Sequence, residues 1–170
     1  MALLCSHLKK NSFIVCYLYR VTEQVLGQIY QLVKITILKI DIHTHIMPEK
    51  VPNWVQKFGY GEFIHIERRN CKACMMKGDK VFREVNENCF EAKVRIKDMN
   101  EHHVTIQVLS TIPVLFNYWA KPKDALETSK FFNDHIAETV AKNPERFIGI
   151  GTVPLQDVGL AIEEMRRCVH

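Results

Sequence analysis

The chain has 170 residues, of which 47% are hydrophobic and 25% are charged, a composition typical of a globular protein and not of a disordered one. Its formal net charge of +4 is small and its lysines and arginines are dispersed, which argues against nucleic-acid binding. The longest early apolar run, residues 13–19, is far shorter than the roughly 20 residues of a membrane helix. We therefore expect one soluble domain, or part of a larger one.

Residues 1–37 form a leader of unclear origin, which ends in a β-branched stretch over residues 32–37. No clean signal-peptide cleavage site follows its apolar run. Cys71 and Cys74 form a lone C-x-x-C, for which free thiols are favoured over a structural metal or a redox pair. Nothing suggests a secreted disulfide scaffold, so the cytosol is the default compartment.

Residues 39–45 predict a hydrophobic strand that ends in His-x-His. Because side chains alternate between the two faces of a strand, we expect three polar ones on one face: Asp41, His43 and His45. The isoleucines are expected on the other face: Ile40, Ile42 and Ile46. Two imidazoles so near each other can both bind one divalent metal, with bonds of about 2.0–2.1 Å if the metal is zinc. For so short a motif, two solvated histidines are the alternative.

The chain then leaves this strand for an insertion at about residues 54–84. Pro48 and Pro52 end the first strand, and alternating apolar residues with a Lys-Gly-Asp-Lys turn at 77–80 predict short antiparallel strands. Lys77 of this segment could face a pocket, as could Tyr118 and Trp119 further along the chain. For Lys77 a solvated turn lysine is an equal alternative, and for the two aromatic residues core packing is favoured.

From about residue 91 the pattern alternates regularly between helix and strand. Helices are predicted near 91–102, from an N-cap at Asp124 to Asn143–Pro144, and after a cap at Asp157; strands are predicted at 105–111 and 146–153. This rhythm indicates βαβ units and a parallel sheet. A (β/α)8 TIM-type barrel needs roughly 250 residues and carries its active site where its strands end. We therefore predict an α/β fold comprising about the first three β/α units of such a barrel, over residues 38–170, with the antiparallel insertion after the first strand.

Several ordered blocks from residue 38 onward resemble the aminocarboxymuconate-semialdehyde decarboxylase family of the metal-dependent amidohydrolase-like superfamily. These blocks are residues 39–46 (Lys-Ile-Asp-Ile-His-Thr-His-Ile), 58–61 (Phe-Gly-Tyr-Gly), 80–83 (Lys-Val-Phe-Arg), 109–114 (Leu-Ser-Thr-Ile-Pro-Val), 118–122 (Tyr-Trp-Ala-Lys-Pro) and 146–149 (Arg-Phe-Ile-Gly). His-x-His alone would indicate only the superfamily, whereas the Phe-Gly-Tyr-Gly block at 58–61 and the Asn-Tyr-Trp-Ala-Lys-Pro segment at 117–122 indicate this family.

The resemblance implies roles for three residues. His43 and His45 match the first two ligands of the family's catalytic zinc, and Arg83 matches an arginine that binds a substrate carboxylate. A guanidinium suits that task because its planar fork binds a carboxylate bidentately and stays charged. The implied reaction is the non-oxidative decarboxylation of 2-amino-3-carboxymuconate semialdehyde in tryptophan catabolism by the kynurenine pathway, with no organic cofactor.

The family's remaining zinc ligands and its base histidine have no counterpart among residues 1–170. His102, His103 and His135 are predicted on helices, as surface side chains and not as ligands. We therefore expect the chain by itself to be inactive and poorly folded, and the family to act as a homodimer when complete. Another metal-dependent hydrolase or decarboxylase of the superfamily, and a non-catalytic truncated product, are the alternatives.

Overall fold

The computed structural model describes residues 38–69 and 72–169. The predicted leader, residues 1–37, and Cys71 of the C-x-x-C pair lie outside these ranges. The elements in chain order are β1 Ile40–Ile46, α1 Trp54–Phe58, β2 Ile64–Arg69, β3 Lys72–Lys77, β4 Lys80–Val85, α2 Ala92–Glu101, β5 Ile106–Thr111, α3 Pro122–Lys142, β6 Phe147–Gly149 and α4 Val158–Val169. Short 3-10 turns occupy Glu87–Cys89 and Pro113–Leu115.

Three of these strands form a parallel sheet in the order β1-β5-β6. Each crossover to the next strand contains a helix, α2 before β5 and α3 before β6. The strand–helix rhythm of the sequence and the parallel pairing predicted from it are therefore confirmed, and the described part of the chain is an α/β fold.

Helices α2 and α3 cover one face of the parallel sheet. The cluster on that face joins strand residues to helix residues: Ile46, Leu109 and Phe147 pack with Met99 of α2 and Ile136 of α3. Each of these side chains is at most 3% exposed, so each contributes roughly 1.5–3 kcal/mol through removal of apolar surface from water. On the other face, Ile40 and Ile148 remain 43% and 47% exposed.

The insertion forms a second, antiparallel sheet in the order β2-β3-β4. Its buried side chains, among them Ile64 and Met75, pack against Phe132 of α3. The antiparallel strands predicted for the insertion are confirmed from Ile64 onward, but its first residues, 54–58, are helical. Asn53 caps that helix by accepting a 2.9 Å hydrogen bond from the Gln56 amide, and Gly59 ends it at a φ of 74°.

The ends of α3 and α4 test the predicted caps. Asp157 caps α4 as predicted, since its Oδ1 accepts a 2.9 Å hydrogen bond from the Leu160 amide. Helix α3 ends at Lys142 as predicted, but it begins at Pro122, so Asp124 lies inside the first turn and is not the cap. A proline at the first helical position costs no hydrogen bond, and the Asp124 carboxylate instead accepts one from Tyr60 Oη at 2.7 Å.

Strand β6 is shorter than the predicted span 146–153, because the side chain of Asn133 on α3 forms hydrogen bonds to the backbone of the segment that follows β6. The Asn133 side chain accepts a hydrogen bond from the Thr152 amide and donates one to the Thr152 carbonyl, both at 2.8 Å. No helix in residues 38–69 and 72–169 is both long enough and apolar enough to cross a membrane.

Helix α4 is fixed to α3 by a buried carboxylate. Arg167 donates to both oxygens of Glu164, at 2.8 and 2.7 Å, and Asn133 donates to the same carboxylate at 2.7 Å. Burial alone would raise the pKa of Glu164, but these hydrogen bonds outweigh it and leave the pKa below its usual value. The Glu164 side chain is fully buried and stays ionised, as a carboxylate with this many donors should.

Glu164→Gln should lower the free energy of unfolding at pH 7 by about 1–3 kcal/mol, because a neutral amide replaces the buried partner of Arg167. Since the folded-state pKa is lowered, the stabilisation is present above the ordinary carboxyl pKa and is lost as pH falls through the folded value. The difference from the parent should therefore shrink below about pH 4. Denaturant unfolding of the parent and the variant, at pH 7 and below about pH 4, measures this difference in the free energy of unfolding.

The matched control is Glu163→Gln, which changes the neighbouring residue of α4. It removes an exposed ion pair between Glu163 and Lys130 of α3. That pair should contribute about 0.5 kcal/mol or less. Equal losses in the two variants would contradict a structural role for the buried carboxylate.

Candidate metal centre

A bulge in β1 determines which of its side chains face the open side of the parallel sheet. Asp41 pairs with Gln107 and Thr44 with Leu109, so three steps along β1 match two steps along β5. Gln107 and Leu109 lie two positions apart and share the helix-covered face, so Asp41 and Thr44 share it too. The prediction that Asp41 lies on the same face as the histidines is therefore wrong. The bulge also leaves Ile42 76% exposed instead of buried among the helices.

His43 and His45 lie together on the open face at the carboxyl end of β1. Their ring centroids are 5.5 Å apart and the rings meet edge to face at 84°. Two imidazoles at this separation on one strand offer nitrogen donors of the type that Zn²⁺ and Mn²⁺ accept. The structure thus brings the two predicted ligands together, without Asp41.

The Asp41 carboxylate takes part in a chain of hydrogen bonds behind the histidines. Gln107 donates to Asp41 at 3.4 Å and accepts from Arg95 of α2 at 3.2 Å, while a second Arg95 nitrogen donates to the backbone carbonyl of His45 at 2.6 Å. Burial lowers the pKa of the Arg95 guanidinium, which nonetheless remains charged at any physiological pH. This chain holds the backbone of the second histidine in place.

Ser110 of β5 contacts the ring of His45 directly. The two residues are register partners across the parallel ladder, and Ser110 Oγ lies 2.9 Å from His45 Nδ1 and 3.0 Å from the carbonyl oxygen of Thr44. The His45 ring therefore has a fixed hydrogen-bond partner on its Nδ1 side.

Arg83 lies on β4 of the antiparallel sheet, where it is exposed and pairs in register with Met75. Its guanidinium lies 6.0 Å from the ring of Phe82. Among the described residues, no hydrogen bond or ion pair engages its side chain. The guanidinium is thus available to a ligand, but no described contact joins it to the two histidines.

An open cavity of about 340 Å³ lies between the antiparallel sheet and the segment after β5, and Lys77, Phe82, Tyr118 and Trp119 are among its lining residues. Lys77 also forms a 2.7 Å ion pair with Glu62. Tyr118 and Trp119 are 40% and 53% exposed, so the favoured prediction that they pack in the core is wrong. The Trp119 ring is held at the rim by Phe63, at a centroid distance of 4.6 Å.

The other histidines are placed differently from the prediction. His102 and His103 lie in the turn that follows α2, His103 with a φ of 55°, and not on a helix. His135 is on α3 as predicted, but it is half-buried, and burial holds the pKa of its ring below the usual value. Across residues 38–69 and 72–169, no three His, Cys, Asp or Glu side chains meet in a group able to hold a metal. The described residues therefore bring together two candidate ligands, His43 and His45.

Comparison with known proteins decides the family. The sequence profile of the amidohydrolase family matches residues 40–170. The chain belongs to this family.

Among relatives of this amidohydrolase, two are named 2-amino-3-carboxymuconate-6-semialdehyde decarboxylase. The one from Dictyostelium discoideum is 51% identical over 133 residues, covering 78% of this chain and 37% of the relative; the one from Caenorhabditis elegans is 42% identical over 126 residues, covering 74% and 31%. The predicted resemblance is confirmed. The chain spans about a third of the length of these relatives.

A solved structure supports the same family assignment. The dihydroxybenzoic acid decarboxylase of Polaromonas sp. JS666, described with bound manganese and 2-nitroresorcinol, aligns with a TM-score of 0.54 and 26% identity over 78% of this chain and 35% of its own. The described part of the chain therefore shares its α/β fold with part of a solved amidohydrolase-like structure.

Sequence reasoning identified the two histidines but missed Arg95, Gln107 and Ser110 as their supports. A lone serine or glutamine on a strand carries no pattern of its own. The one signal that could have been used is register, because a parallel pairing of residues 40–46 with 106–111 places Ser110 beside His45.

Gly61 allows a test of how the cavity rim of this amidohydrolase is built. Its φ is 80°, and a Cβ there would lie 2.5 Å from two ring atoms of Trp119, whereas Gly59, at a φ of 74°, has nothing within 4 Å of that position. Both alanine variants should lose about 1 kcal/mol of stability from the left-handed backbone. Only Gly61→Ala should displace Trp119 and shift its fluorescence to longer wavelength.

Fluorescence suits this measurement because the chain has two tryptophans and the other, Trp54, is 4% exposed. An emission spectrum of Gly61→Ala identical to that of Gly59→Ala would contradict the proposed contact between the Phe-Gly-Tyr-Gly segment and the rim.

Proposed function

We propose that this chain carries the first metal-ligand strand and a substrate-anchoring arginine of a decarboxylase acting on 2-amino-3-carboxymuconate semialdehyde in the kynurenine pathway. The observation that carries the proposal is the 51% identity to the Dictyostelium discoideum decarboxylase. The pair of imidazoles on the open sheet face gives that identity a chemical basis.

Zinc is the metal that we propose for the His43–His45 pair. When bound, it supplies a water whose pKa is lowered toward neutrality. The chain's own part is to bind and orient: two imidazole nitrogens held on one strand, with the backbone of His45 tied to Arg95. Manganese is the competing metal, since the Polaromonas decarboxylase is described with it.

Arg83 is proposed to bind a carboxylate of the substrate. Its exposure and the lack of a polar partner among the described residues favour this role, because a structural arginine normally makes hydrogen bonds within the fold. A bidentate guanidinium would bind that carboxylate and hold it in one orientation.

A second candidate is decarboxylation of a dihydroxybenzoate. It is favoured by 40% identity, over 76 residues, to a relative from Rhodococcus jostii named gamma-resorcylate decarboxylase, although that match covers 45% of this chain. A panel containing both substrate classes separates the two when a form of the protein with a complete metal site is assayed by carbon dioxide release, with zinc or manganese added. Release from neither substrate by that form would favour the non-catalytic alternative.

Other features of the prediction remain proposals. We propose that residues 38–170 form the first three β/α units of a barrel, that the complete protein is a homodimer, and that it acts in the cytosol. The three parallel strands covered by helices on one face support the first. The free thiols of Cys74, Cys89 and Cys168 agree with a reducing compartment.

The histidine pair can be tested by metal binding. Zinc should bind the chain weakly, since two ligands are fewer than the three or four of a complete site, and His43→Ala with His45→Ala should abolish that binding. Competition against a chromophoric chelator measures the affinity. His102→Ala, which removes an exposed histidine from the turn after α2, is the control and should bind zinc like the parent. Unchanged zinc binding by the double variant would refute the assignment.

The role of Arg83 predicts a loss of activity without a loss of stability. In a form of the protein with a complete metal site, Arg83→Ala should cost about 1.5–3 kcal/mol of transition-state stabilisation, or roughly 10- to 150-fold in kcat/KM. Its Tm and zinc content should stay unchanged, as should all three quantities in Lys80→Ala, another exposed cation on β4. A lowered Tm with normal kcat/KM would assign Arg83 a structural role.

A further inference from the structure

We infer that Ser110 is a positioning residue that holds the His45 imidazole in one tautomer, with its proton on Nδ1, and so presents Nε2 to a divalent metal. The inference deepens the proposed function and rests on it, because it concerns the same metal site.

The direction of two hydrogen bonds carries the argument. Ser110 Oγ lies 3.0 Å from the carbonyl oxygen of Thr44 and 2.9 Å from His45 Nδ1. A carbonyl oxygen can only accept, so the single hydroxyl hydrogen of Ser110 is donated to Thr44. The hydroxyl oxygen must then accept from His45, which requires a hydrogen on Nδ1.

The consequence for the metal follows from the chemistry of imidazole. A neutral ring carries one hydrogen, and with that hydrogen on Nδ1 the free lone pair is on Nε2, on the side of the ring away from Ser110. A hydrogen bond of this kind fixes the orientation of a ligating histidine and increases its basicity toward the metal. His45 would therefore be preset for binding before any metal arrives.

The surrounding strands make this arrangement rigid. Ser110 and His45 are register partners in the β1–β5 ladder, and Arg95 holds the His45 carbonyl with a 2.6 Å hydrogen bond. His43 differs: among the described residues no hydrogen bond reaches its ring, which meets the ring of His45 edge to face. The site thus combines one preset ligand with one that can rotate to meet the metal.

The hydroxyl of Thr44 provides a control for a purely structural role of Ser110. The Thr44 hydroxyl also crosses from β1 to β5, where it donates to the carbonyl of Val108 at 2.8 Å, and it does not touch either imidazole. Thr44→Val and Ser110→Ala each remove one hydroxyl bridge between the same two strands, but only Ser110→Ala removes the acceptor for His45 Nδ1.

The tautomer itself is the first measurement. Long-range proton–nitrogen NMR distinguishes protonated from unprotonated ring nitrogens. The spectra are recorded on the metal-free chain at about two pH units above the ordinary histidine pKa. The signals that are lost in His45→Ala are assigned to the His45 ring. We expect the Nδ1-protonated form in the parent, in Thr44→Val and in Ser110→Thr, which keeps the hydroxyl. We expect exchange between both tautomers in Ser110→Ala. An Nε2-protonated or exchanging ring in the parent, or an unaltered ring in Ser110→Ala, would overturn the inference.

Zinc affinity is the second measurement. Ser110→Ala should weaken binding by about 10- to 100-fold, while Ser110→Thr and Thr44→Val bind like the parent. The two hypotheses fail differently. If the parent and the histidine double variant bind zinc equally, the proposed metal site is wrong and the positioning role is wrong with it. If the double variant loses zinc but Ser110→Ala does not, the metal site stands and only the role of Ser110 is overturned.

Discussion

The bulge in β1 is the constraint on which the rest of the site depends. A regular strand with both histidines on the open face would place Asp41 on that face as well and would turn Ile42 toward the helices. One extra residue between Asp41 and Thr44 instead turns Asp41 to the helix side and leaves Ile42 on the open side. The apolar end of the strand packs against the helices, the imidazoles face the open side, and the carboxylate is directed toward Gln107.

That displaced carboxylate explains how a buried arginine is accommodated close to the proposed metal site. Arg95 carries a positive charge on the helix side of β1, and Asp41 offsets it through Gln107 without occupying the open face. The sheet therefore separates the two kinds of polar group, with the hydrogen-bonded charges behind the strand and the two imidazoles in front of it. Preorganised ligands of this sort are what distinguishes a functional site from a chance pair of histidines.

Features that depend on residues close in sequence could be predicted, and features that depend on distant residues could not. His43, His45, the α3 stop at Asn143 and the α4 cap at Asp157 could be predicted, because each depends on neighbours within a few residues. The bulge could not, since it exists only relative to a strand about 65 residues away. Helix α1 is an intermediate case: Asn53 and Gly59 are ordinary cap residues, but the 5 residues between them are too few to show a helical period.

The order of pairing in the two sheets has a consequence for how the chain folds. Strands β2, β3 and β4 meet through short connections, whereas β1 must find β5 across the whole insertion, with Thr44 and Ser110 separated by 66 positions. Closing so long a loop is entropically costly, and the cost falls when the intervening chain has already collapsed into its own sheet. An antiparallel insertion that formed first would therefore shorten the effective loop between the strand that carries the histidines and the strand that carries Ser110.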